Sequence, residues 1–259
     1  MRMMKKVLGT VTVLALSVSL LAGCGSTAAS PVSSAASTAA ESTTSSVVSE
    51  TTSAAADENE AAAEQLLNDL TGSYQELWPV ILADEYKQTW LDDCTALVGE
   101  ENAEAAFEKL SSMVTSDVYG EDAVEAYANG GGAYFCGFTN SLATLTFDGE
   151  TSTISGTDKD GNVLFSHTYH YIGMEPVRGL YEFESDDADS GEFTYFFLAP
   201  DTSAETYHIE FRYGSDAEAL SQYDAGDYAY WLASGISTDC DQTMIDNCIE
   251  LFCTENLAG

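Results

Sequence analysis

Positive charge is scarce in this chain: 8 Lys and Arg stand against 43 Asp and Glu in 259 residues. Arg2, Lys5 and Lys6 sit at the very start, so beyond them only Lys87, Lys109, Lys159, Arg178 and Arg212 oppose the 43 acids, a formal charge of −38. A field of that sign repels nucleic acid and anionic headgroups and gathers cations diffusely. Nucleic-acid binding is excluded. Histidine is equally rare, with His167, His170 and His208 as the whole supply of imidazole. No cysteine pair has the C-x-x-C spacing of a thiolate metal site or redox motif. There is no G-x-S-x-G elbow and no H-E-x-x-H helix, and with so many acids a carboxylate pair carries no information. The residues therefore point to a binding protein, not an enzyme.

Long apolar runs are missing too, except from Val7 to Leu20, which follows the basic start MRMMKK and ends at Leu21-Ala22-Gly23-Cys24. A basic end followed by a short apolar segment is an export signal and not a domain. The Leu-Ala-Gly-Cys box resembles the bacterial lipoprotein signal-peptidase site. Residues 1–23 are thus expected to be a signal peptide and Cys24 to become the lipidated first residue. The mature protein is then anchored by lipid to the outer face of the cell membrane. Residues 24–58 are almost all Ser, Thr and Ala, a composition that buries too little apolar surface to offset the entropy of ordering. They read as a tether whose root-mean-square reach is about 30 Å.

The rest, 59–259, carries Trp78, Trp90 and Trp231 and is long enough for one domain with a real core. Helix formers at 59–70 and the apolar spacing of Ala103, Phe107, Leu110 and Val114 predict helices at its start. From about 133 onward the pattern changes to short strands: 141–147, 152–157, 163–172, 179–184, 193–198 and 205–213. Spacings of about 10 to 13 residues favour antiparallel meander connections, because parallel strands need crossover helices. Asp160-Gly161 marks a hairpin whose tight primed turn takes two positive φ angles, and Asp158 is read as turn chemistry. The acidic run 184–192 is read as a solvated loop, and Gly130-Gly131-Gly132 as a loop leading into a strand. Ser215 with Glu218 forms a capping box, and 238–253 returns to helix with Met244, Cys248 and Phe252 on one side, making Cys248 a buried structural thiol. The domain reads as mainly β, an antiparallel barrel or curled sheet with flanking helices. Besides Cys24 the cysteines are Cys94, Cys136, Cys240, Cys248 and Cys253, an odd number that leaves at least one thiol unpaired within the chain.

In Thr206–Tyr213 the side chains alternate, with Thr206, His208, Glu210 and Arg212 on one face and Tyr207, Ile209, Phe211 and Tyr213 on the other. His208 shares its face with Glu210. His167 and His170, three apart on a strand, face opposite sides and cannot together chelate one ion; both are read as surface residues.

The order GSYQELWPVI (72–81), HTYHYIG (167–173), EPVRGLYEFE (175–184), AETYHIEFRYG (204–214) and DYAYWLASGIS (227–237) resembles the ZinT (YodA-like) family of extracytoplasmic zinc-binding proteins, across most of residues 70–253. That resemblance implies a calycin or lipocalin-like antiparallel β-barrel with added helices. It also implies a role in recruiting zinc, or a similar divalent metal ion, and delivering it to a membrane metal transporter. The family holds zinc with three histidines, two in a His-aromatic-His-Ile strand and one in an upstream Ser-Asp-His motif. Here the strand motif is Thr206-Tyr207-His208-Ile209 and retains one imidazole, while the upstream segment Phe197-Leu198-Ala199-Pro200 offers none. The His- and Asp-rich loop of some members is also absent. His208 is therefore the expected metal ligand, helped by a carboxylate such as Glu182, Glu205 or Glu210 in a weaker and less selective site. The competing expectation is a lipocalin-like binder of another small ligand, or an accessory lipoprotein, whose metal site has decayed.

Overall fold

The computed structural model describes residues 58–200 and 206–258. The signal peptide, Cys24, the tether up to residue 57 and Glu205 lie outside the described residues. The first described helix, α1, covers 58–69. The strands are β1 (Gly72–Glu76), β2 (Thr144–Asp148), β3 (Thr153–Thr157), β4 (Val163–Met174), β5 (Tyr181–Ser185), β6 (Tyr195–Leu198), β7 (Ile209–Gly214) and β8 (Ala233–Ser237). Each pairs antiparallel with the next, and β8 returns to β1 through Tyr74 opposite Ser237 and Glu76 opposite Gly235, so the sheet closes as an eight-stranded barrel. This is an up-and-down, calycin-like barrel.

Its interior is solid. Phe147, Ile154, Phe165, Tyr169, Phe183, Phe196, Phe211 and Tyr213 point inward and are buried. Phe196 lies 5.8 Å from Phe165, 5.4 Å from Tyr169 and 5.3 Å from Tyr213, ring centre to ring centre. Rings of this size fill much of the interior of a barrel of this strand number. Leu66, Leu67 and Leu70 of α1 join the same core.

A second layer covers the outside of β8. It comprises α2 (Leu77–Ile81), α3 (Lys87–Val98), α4 (Glu100–Ser112) and, after the barrel, α7 (Gln242–Leu257). Two shorter helices, α5 (Glu121–Ala128) and α6 (Ala217–Leu220), lie between. Trp78, Ile81, Trp90, Leu110, Ile245 and Ile249 pack around Ile236. Phe252 sets its ring 4.8 Å from Trp78 and 5.9 Å from Trp90, and Trp90 Nε1 donates to the Ile81 carbonyl at 2.7 Å. Gly99, at φ 86°, is what lets α3 stop and α4 begin without a linker. Among the described residues no helix is long and apolar enough to cross a membrane.

Several expected boundaries move. The 238–253 helix begins later because the Asp241 carboxylate caps it, accepting from Met244 N at 2.9 Å. The Ser215–Glu218 box does not form; Asp216 is the cap of α6 and accepts from Ala219 N at 3.1 Å. At Asp160-Gly161 only Gly161 takes positive φ, so the turn is not primed. It is a loop closed by Asp158 N to Asn162 O at 2.9 Å, with the Asp158 carboxylate accepting from Asp160 N and Asn162 N. The Asn162 side-chain amide, which donates to Asp158 Oδ2 at 2.9 Å, and then these backbone donors hold the Asp158 carboxyl below the usual range.

The β2–β3 hairpin touches α1 at Gly149, where an added Cβ would overlap Asn68 Cα and stand 2.6 Å from Asn68 N. That neighbour is backbone, so the helix itself must move. Gly149→Ala should cost about 1–3 kcal/mol of stability, read by urea denaturation; an unchanged midpoint would mean that α1 is not seated on this hairpin.

Candidate functional site

The polar side of β7 points away from the packed lumen, toward a shell built from α7, the 134–136 segment and the 175–180 and 220–231 loops. Strand β7 begins at Ile209, later than the alternation suggested, because Tyr207 takes φ 65° and bends the chain just ahead of it. That bend presents His208 beside its own preceding backbone: Nδ1 lies 2.7 Å from the Thr206 carbonyl. A carbonyl only accepts, so Nδ1 is the protonated nitrogen. In the neutral ring Nε2 is then left with its lone pair, the form in which imidazole ligates metals.

Nε2 faces Glu210 Oε1 at 3.9 Å. The His208 side chain is 18 % exposed and that of Glu210 43 %, so the pair is reached from outside at the carboxylate end. On the opposite ring edge Cys248 Sγ lies 3.8 Å from Nδ1. Nδ1 is already committed to Thr206, so it is not placed to take the thiol proton, and Cys248 and His208 do not make a nucleophile and base. Burial lowers the His208 pKa, but Cys248 and Glu210 outweigh it and hold the imidazole well above its ordinary value of 6.5. Burial likewise opposes ionisation of Glu210, yet the His208 ring and the Arg178 guanidinium bring its carboxyl below the usual range.

Sequence alternation placed Arg212 on this polar face, and the structure buries it completely. Its guanidinium donates to the carbonyls of Leu220, Gln222 and Tyr228 and lies 4.4 Å from the Tyr223 ring centre. Arg178 approaches the same ring at 4.4 Å and donates to Tyr134 OH at 3.2 Å. Tyr223 OH in turn donates to the fully buried Glu175 at 3.3 Å, which also accepts from Val177 N and Arg178 N. This framework pins two loops beside Glu210. Periodicity gave no hint of it, since its members are far apart in the chain.

The other expected residues do not converge. His167 stays with Asp187 at 2.7 Å, half-buried over Phe165, and His170 with Asp186 at 2.8 Å. They do occupy opposite faces, His167 across from Ile154 and His170 across from Glu184. Glu182 stands two strands away on β5, with Phe197 of β6 between it and Arg212. Cys248 is buried in the helical layer, as its face predicted, but the sequence did not foresee His208 beside it. Among the described residues no group of three or more His, Cys, Asp and Glu is placed to hold a metal ion. His208 and Glu210 form a two-donor corner.

No protein-family profile matches the chain, and no curated protein does. Solved structures that are similar to the chain include two Zn(II)-bound ones. One is the Zn(II)-bound ZinT-like domain of Streptococcus pneumoniae AdcA, at 15% identity and TM-score 0.45, covering 71% of this chain and 89% of that one. The other is Zn(II)-bound AdcA from Streptococcus pneumoniae, at 14% identity and TM-score 0.41, covering 75% of this chain and 35% of that one. The first carries the label of the family that the sequence motifs resemble.

The His208 pair sets a pH dependence. Folding raises the imidazole pKa, so its stabilising effect is complete below about 6.5 and disappears as pH rises through the higher folded value. His208→Gln should therefore destabilise more at about pH 6 than at about pH 10, measured by urea denaturation at both. An equal loss at both would mean that the charged ring gains nothing from Glu210.

Proposed function

We propose that this is an exported, lipid-tethered protein that takes up zinc or a similar divalent cation at His208 and Glu210 and passes it to a membrane metal transporter. The observation that carries this reading is the pinned ring: Nδ1 donates to the Thr206 carbonyl, so once the ring is neutral its lone pair lies on Nε2, 3.9 Å from a carboxylate oxygen. Zinc bonds of about 2.1 Å to nitrogen and oxygen in tetrahedral array put the two donors about 3.4 Å apart, so a small rotation of Glu210 brings both within reach of one ion. Water would complete the coordination. Two protein donors make a weak and exchangeable site, which suits a carrier that must release its cargo. The packed lumen speaks against a lipocalin-like binder holding an organic ligand inside the barrel.

Calorimetric zinc titration tests the site. The chain with Cys24→Ala, handled without detergent, should bind about one equivalent in moderate salt, where diffuse attraction by surface acids is screened. His208→Ala should abolish that binding, and Glu210→Gln should weaken it by about tenfold or more. Binding should also strengthen as pH rises, because the proton and the cation compete for Nε2. Heat that is unchanged in His208→Ala would remove the proposal.

Anchoring is tested separately. Expressed in a bacterium that processes lipoproteins, the wild-type chain should partition into the detergent phase of a Triton X-114 extract and Cys24→Ala into the aqueous phase. Aqueous partitioning of both would mean that Cys24 is not lipidated.

A further inference from the structure

Two thiols meet in the helical layer, apart from the proposed cation site. Cys94 on α3 and Cys253 on α7 are both fully buried, and their Sγ atoms are 3.9 Å apart. The remaining described cysteines have other neighbours: Cys136 lies by Ser234 and Trp78, Cys248 by His208, and Cys240, partly exposed near the start of α7, feels Cys248 through its charge and not through a sulfur–sulfur contact. We propose that Cys94 and Cys253 are the disulfide of this protein, a crosslink that ties α3 to the C-terminal helix across a separation of 159 residues.

The geometry favours this pair. Two sulfurs in contact need to close by about 2 Å to bond, which side-chain rotation on two packed helices supplies in large part. The odd cysteine count is then accounted for, with Cys136, Cys240 and Cys248 left as thiols. Closing so long a loop removes much of the freedom of the unfolded chain. The loop encloses β2 to β8, seven of the eight barrel strands, so the link opposes separation of the helical layer from the sheet.

The timing follows from the same burial. Exchange runs through thiolates, and burial pushes both thiols up, Cys253 far above its ordinary value. In the folded protein they exchange slowly, so the bond forms while α3 and α7 are still undocked. Both thiols lose a proton and together two electrons. The acceptor is a disulfide oxidant, small-molecule or protein, which leaves as two thiols. Such oxidants are found outside the membrane, so in the cell the inference rests on the exported reading. The pairing itself is tested in vitro and the anchoring by the partition assay, so the two fail independently.

The Cys24→Ala chain is denatured, reduced, refolded with oxidised glutathione, alkylated in denaturant, digested and analysed by mass spectrometry. The expected result is a linked Cys94–Cys253 peptide pair with alkyl groups on Cys136, Cys240 and Cys248. The oxidised protein should melt about 5–15 °C above its reduced form. Cys94→Ala/Cys253→Ala should melt at one temperature with or without reductant. Alkylation of both Cys94 and Cys253 after refolding, or a different linked pair, overturns the proposal, and neither result depends on how the double variant folds.

Discussion

The filling of the barrel lumen is the constraint from which the rest follows. Inward positions on β4, β6 and β7 carry Phe165, Tyr169, Phe196, Phe211 and Tyr213, whose rings contact one another across the centre. Burying that much aromatic surface stabilises the closed sheet and fills much of its interior. Polar chemistry is displaced to the outer wall. There the covering helices and loops shelter it from water, and a barrel that usually works through its mouth is left with a site on its flank.

On that flank β7 and the residue just ahead of it separate two environments. Ile209, Phe211 and Tyr213 seal the core, while His208, Glu210 and Arg212 meet the covering shell. Burying Arg212 is costly unless its donors are matched, and three backbone carbonyls and the Tyr223 ring match most of them. Among the described residues its Nε has no hydrogen-bond partner. The guanidinium thereby acts as a clamp on the 220–231 loop. The His208 ring first, and Arg178 behind it, stabilise the Glu210 carboxylate in its ionised form. An ionised carboxylate close to a tautomer-locked imidazole is the least that a cation needs to be held by direct bonds.

Much of the fold was legible because its middle strands carry strong signals. The alternation in β4 and β7, and the turn residues at 158–162, follow from local chemistry. The two strands that close the barrel carry none: β1 reads GSYQE with Tyr74 as its one buried side chain, and β8 reads ASGIS, small residues without aromatic or extended apolar pattern. Both lie within the segments that resemble ZinT, which suggested a barrel without identifying its seam. Helix α3 was missed for a related reason, since only Trp90 and Cys94 are buried along it. The site was half legible. His208 and Glu210 share a face by period-two spacing, but the ring's orientation depends on the positive φ of Tyr207, and no residue pattern announces a left-handed tyrosine. Arg178, Glu175 and Tyr223 meet only through tertiary folding.

The acidity of the chain and the His208–Glu210 corner act at different ranges. A formal charge of −35 raises the local concentration of every cation near the surface, but salt screens that field within about 10 Å. It therefore selects for charge and not for identity. Identity requires bonds, and nitrogen is the donor that separates zinc-like ions from calcium and magnesium. Only one of the three histidines is placed to offer it, because His167 and His170 are each engaged with an aspartate. Glu210 adds charge to that bond and also raises the affinity of His208 for a proton. The carboxylate thus strengthens both competitors for Nε2, and the balance between them follows the pH of the surrounding solution.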